Sequence, residues 1–142
     1  MNPNELARYG AVKITTGSPA QILVMLYDGM FRFLRESMVA TEAGNYARSG
    51  ERAGRALKVL DHLLQGLDRA ALPSLCDKLE PLYVFCMRHI VQANARHDCE
   101  AMAEVIRILT PLRDAWAAAA AQVANEAAGI QTVAATGKAG VQ

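Results

Sequence analysis

Residues 15–34 read TTGSPAQILVMLYDGMFRFL, and this stretch decides the fold. Ser18 is a side-chain N-cap type, Pro19 suits the first helical position, and Gln21 stands where a capping-box partner belongs. The chain then runs apolar on nearly every side. Ile22, Leu26, Met30, Phe33 and Ser37 share one helical face, and Leu23, Tyr27, Leu34 and Met38 an adjacent one. Only Asp28, Arg32 and Arg35 mark a polar stripe. The spacing predicts a helix from Ser18 to about residue 40, roughly 33 Å long. A helix with so little polar surface must be wrapped by its neighbours, by a partner, or by both.

Three further helices follow from the same periodicity. Gly44-Asn45 breaks the first, and Asn45 caps a second over about 46–67, whose apolar face is Ala53, Ala56, Leu57, Leu60, Leu63, Leu64 and Leu67. Arg48, Arg52, Arg55 and Lys58 lie elsewhere on it and read as a solvated face. Gly50 and Gly54 share a side where another backbone can come close. Ser74, with Asp77 three residues on, suggests the start of a third helix over about 75–95, carrying Leu75, Leu79, Leu82, Cys86, Ile90 and Ala93. Pro81 lies inside it and predicts either a kink or a late start near that residue. Asp98 caps a fourth, with Met102, Val105, Ile106, Leu109, Leu112 and Trp116 on its apolar face and Pro111 in its middle. Beyond Trp116 an Ala-rich stretch extends this helix, and from Gly129 onward it is expected to fray into disorder.

Four amphipathic stripes on short loops predict an all-α, antiparallel up-down four-helix bundle. Residues 1–17 form an N-terminal arm, 18–116 the bundle, and 117–142 the helical extension and partly disordered tail. The composition agrees, being rich in helix formers with only 6 % aromatics. A net charge of +1 gives no electrostatic case for nucleic acid or an anionic membrane. The longest run of large apolar residues, Ile22–Tyr27, falls far short of the ~20 residues that cross a bilayer, and MNPNELARYGAVKI lacks the pattern of a secretory signal. The expected compartment is the cytosol, where Cys76, Cys86 and Cys99 stay reduced.

Nothing in the chain resembles a catalytic constellation. Cys86, His89, His97 and Cys99 lack the paired spacing of a zinc site, and Cys86 falls in an apolar stripe where a thiol acts as a small hydrophobe. There is no phosphate-binding glycine loop, no nucleophile elbow and no Glu-x-x-His repeat. Neither metal nor cofactor is expected. Tyr27 and Tyr83 read as core by their spacing. Tyr9, with Val12 and Ile14 after it, sits in a polar stretch before any helix and reads as a strip that docks on something.

Tyr9, the Ser18-Pro19 cap and Leu23-Val24-Met25-Leu26-Tyr27-Asp28-Gly29 come in a distinctive order. Leu79-Glu80-Pro81-Leu82-Tyr83, Asn94, Asp98, Glu104-Val105 and Leu112-Arg113-Asp114-Ala115-Trp116 follow in register. This order resembles the flagellar secretion chaperone family FliS over most of the chain, though Pro81 and Pro111 depart from its regular helices and the Ala-rich tail matches nothing in it. The resemblance implies a cytosolic, non-enzymatic bundle that binds the disordered C-terminal segment of flagellin, prevents early polymerisation and aids delivery to the flagellar type III export gate. The groove for that segment is assigned to Tyr9, Ile14, Leu23, Tyr27, Leu57, Leu60, Leu64 and Tyr83. The alternative is a helical-bundle homodimer, structural or regulatory, whose surplus apolar face is buried permanently.

Overall fold

The computed structural model describes residues 18–139, with side chains as far as Ile130. The described residues form four helices: α1 (Pro19–Glu42), α2 (Tyr46–Gln65), α3 (Pro73–Arg96) and α4 (Cys99–Ala139). Consecutive helices pack on one another and α4 closes back on α1, as the short connections of an up-down bundle require. The arm, with Tyr9, Val12 and Ile14, lies outside the described residues.

The ends are set by local chemistry. Ser18 Oγ accepts the Gln21 N–H at 3.3 Å and Pro19 fills the first turn, where its missing N–H costs nothing. At the other end of α1, Gly44 takes φ +75°, its N–H reaching the Thr41 carbonyl while that of Asn45 reaches the carbonyl of Ala40. Asn45 then caps α2 by accepting the Arg48 N–H at 3.1 Å. α3 ends with the same pair of bonds around His97 at φ 53°, and Asp98 caps α4 through the N–H of Ala101. Replacing Ser18 with Ala should lower unfolding free energy by about 1 kcal/mol. An unchanged denaturant midpoint would show that the cap contributes nothing.

Three expectations are corrected. α3 begins at Pro73, with Leu72 before it making no side-chain cap, so Ser74 and Asp77 are not its start. Nor does it start late: the helix runs continuously through Pro81. Pro81 and Asp77 both face solvent, so water can take up the carbonyl that the proline leaves without its donor. Gly50 and Gly54 bring no backbone close; a Cβ at Gly50 would meet only the Asn94 side chain at 3.7 Å, and one at Gly54 nothing within 4 Å. Among the described residues α4 runs to Ala139, its alanines favouring the helix.

The core is built from Met30, Phe31 and Leu34 of α1, Ala56 and Leu60 of α2, Ile90 of α3, and Val105 and Leu109 of α4. Two polar devices lie within it. Ser37 donates to the Ser49 carbonyl at 2.8 Å, which satisfies both ends of the α1–α2 contact. Tyr27 and Tyr83 share a hydroxyl–hydroxyl bond of 2.6 Å, linking α1 to α3 across the bundle diagonal.

Candidate functional site

One end of the bundle carries the first two turns of α1, the last turns of α2, the start of α3 and Trp116 of α4. α2 stops at Gln65 and α3 begins only at Pro73. A connection rather than a helix therefore borders the first turns of α1, and a cleft of about 260 Å³ is left there. Pro19, Ile22, Leu23 and Leu26 form its α1 wall, and Leu63 and Leu67 face them. The α3 side is Leu75, Cys76, Leu79 and Tyr83, with Leu72 at the rim, 54 % exposed. His62 and Asp68 are the only ionisable polar side chains beside it apart from Tyr83 and Cys76. Ile22, Leu23 and Leu26 are half-buried, so the surplus apolar surface of α1 opens onto this cleft.

Beneath the cleft lies the Tyr27–Tyr83 hydroxyl pair. Burial, then the neighbouring Tyr83, pushes the Tyr27 hydroxyl far above the ordinary tyrosine range, and burial raises Tyr83 as well. The Trp116 indole N–H is buried without a hydrogen bond of good geometry, yet lies near enough to Tyr27 to favour its ionised form slightly. Burial lifts the Cys86 thiol to about 11, so it stays protonated and inert at neutral pH. Because both tyrosine hydroxyls are raised above the ordinary value of 10.0, the stability they contribute is complete below that pH and is lost as pH climbs above it. An alkaline titration should therefore show two of the four tyrosines ionising only as the bundle unfolds. Tyrosinate absorbance that rises smoothly for all four while helix content holds would refute this.

The residues expected from sequence divide into four groups. Leu23 and Tyr83 line the cleft, Tyr83 as a wall residue only 2 % exposed. Tyr27 and Leu60 are wholly buried in the core. Leu57 and Leu64 are half-buried and pack against that core outside the cleft. Tyr9 and Ile14 lie outside the described residues. Sequence reasoning passed over Leu63, Leu67, Leu72 and Trp116 as cleft residues; the signal for the three leucines was position at or beside a helix end, whereas Trp116 lies well inside α4. Among the described residues no three His, Cys, Asp or Glu side chains converge as a metal site would need, and no helix is long and apolar enough to cross a membrane.

Beside the cleft, Arg113 of α4 holds Asp28 of α1 through two bonds of 2.9 and 3.1 Å. This fork fixes α4 against α1 just before Trp116 enters the cleft wall, although so exposed a pair stabilises only weakly.

Known proteins carry the same pattern. The family model for flagellar protein FliS matches residues 2–123. The chain is 32 % identical over 104 residues to the flagellar secretion chaperone FliS of Salmonella typhimurium, covering 72 % of this chain and 77 % of that one. It is 30 % identical over 113 residues to the flagellar secretion chaperone FliS of Bacillus subtilis, covering 80 % and 84 %. The corresponding protein of Vibrio cholerae is 31 % identical over 104 residues, covering 73 % and 76 %. A helical bundle with an open apolar cleft, matched over nearly its whole length, places the chain in a single group: it belongs to the FliS family of flagellar secretion chaperones.

Proposed function

We propose that this chain is a cytosolic, non-enzymatic export chaperone. It binds the disordered C-terminal segment of flagellin, keeps the subunit from polymerising early and helps bring it to the export gate of the flagellar type III apparatus. The observation that carries this reading is the open cleft between α1, α2 and α3, whose walls are almost wholly apolar. A disordered amphipathic segment orders itself by laying its apolar face into such a groove, and spends part of the gross interaction energy in becoming ordered. Leu23 and its neighbours Ile22, Leu26 and Leu72 make the contact surface. Tyr27, Leu60 and Tyr83 hold that surface in place from beneath, with Leu57 and Leu64 steadying α2.

Tyr9 and Ile14 act through the arm, which joins the bundle at Ser18, next to Pro19 in the cleft wall. An arm that rests in the cleft shields it until flagellin displaces it, and lowers apparent affinity by the fraction of open molecules. Titrating a peptide of flagellin's C-terminal segment into the full chain should give saturable one-to-one binding with a gain in helix content. Deleting residues 2–14 should tighten that binding several-fold. Weaker binding after deletion would place Tyr9 in direct contact with flagellin. No binding to either form, together with a stable dimer of the free chain, would overturn the chaperone reading in favour of a homodimer.

A further inference from the structure

α4 outlives the bundle. Residues 121–130 are all exposed, and the helix continues to Ala139, so it projects about 28 Å past Ala120. The family match stops at residue 123, so most of this projection belongs to the present chain and not to the shared pattern.

The projection is not uniform around its axis. Trp116, Val123 and Ile130 recur every seven residues on one side, with Ala120 and Ala127 between them. Asn125 lies on the opposite side, and Gln122 and Glu126 flank the stripe, bonded to each other at 3.3 Å. Val123 is 46 % and Ile130 70 % exposed, an unusual outlay of aliphatic surface. The stripe does not begin in open solvent. Its first member, Trp116, is a wall of the cleft.

We infer that the projecting part of α4 is a docking track that extends the cleft, and that its occupant is the same amphipathic segment of flagellin. The inference rests on the reading given above. A helix docks through anchors at i, i+3 or i+4, and i+7, and helices below ~12–15 residues are marginal alone. A cleft of about 260 Å³ takes an anchor or two, not such a helix. A segment that leaves the cleft at the Trp116 end runs alongside α4, and the Trp116–Val123–Ile130 spacing adds about 21 Å of track in step with its own repeat. The small alanines between suit a partner that brings its own larger aliphatic side chains. Two copies of this chain joined stripe to stripe would set alanine against alanine, with little area against the ~1,200 Å² of a stable interface.

The test compares three full-length chains: unaltered, Val123→Glu/Ile130→Glu, and Val123→Ala/Ile130→Ala. Each is titrated by calorimetry with a peptide of flagellin's C-terminal segment. The bundle's melting midpoint should not move, because both side chains project past the core. The glutamate pair should weaken binding about tenfold or more and the alanine pair by a smaller factor, with residual binding at the cleft retained in both. Equal Kd in all three chains overturns the track while the cleft reading stands. No binding in any chain overturns both. Tighter binding to the glutamate pair overturns the inference and assigns the stripe to the arm. A full-length dimer that becomes monomeric on glutamate substitution, with Kd unchanged, assigns it to a second copy.

Discussion

Leu23→Glu should abolish capture of flagellin's C-terminal segment, raising Kd by at least roughly a hundredfold, while the bundle stays folded. The side chain is half-buried and forms part of the α1 wall, in a cleft with few polar groups. A carboxylate there can stay hydrated while the cleft is open. It loses that water only when an apolar segment closes over it, and no Lys or Arg lines the cleft walls to pair with it. The penalty therefore falls on the complex more heavily than on the free chain. Leu72→Glu is the companion. At 54 % exposure on the rim it should leave stability unchanged and weaken binding by a smaller factor. Titration beside thermal melts reads both quantities. Wild-type affinity in Leu23→Glu would show that the segment binds elsewhere on the molecule.

Much of this architecture is legible in the sequence because its determinants are local. Ser18, Asn45 and Asp98 each place a side-chain oxygen three residues before an N–H that needs an acceptor, so the starts of α1, α2 and α4 can be read directly. The start of α3 hides because Pro73 begins it through backbone geometry, with no capping side chain to signal it. The cleft is less legible for a different reason. It arises from where α2 stops and where α3 starts, and that gap selects Leu63 and Leu67 over Leu60 and Leu64 by a shift of a single helical step. Periodicity places all four leucines on one broad apolar face and cannot divide it. The Tyr27–Tyr83 bond is out of reach in another way, since it joins residues 56 apart in the chain. Each tyrosine alone looks like ordinary core.

The same division gives the second large effect. Leu60→Ala should cost about 2–5 kcal/mol of unfolding free energy, because Leu60 is fully buried and part of the central cluster, and a truncated side chain there leaves a cavity that rigid helices fill only in part. Leu64→Ala, on a half-buried side chain one helical turn on, should cost clearly less. For a domain of this size each kcal/mol moves the melting midpoint by a few degrees, so the two variants separate on a thermal scan. At temperatures where both stay folded, neither should change the affinity for flagellin's C-terminal segment much, since neither side chain lines the cleft. The outcome to watch for is the reverse pattern in Leu60→Ala, with stability kept and binding lost. That would mean the core opens around Leu60 when the partner binds, and the sequence-based placement of this leucine in the groove would then describe the bound state. A fully buried leucine outside the cleft lining makes the stability loss the expected result, because reaching it would require α2 to part from α1 and α3.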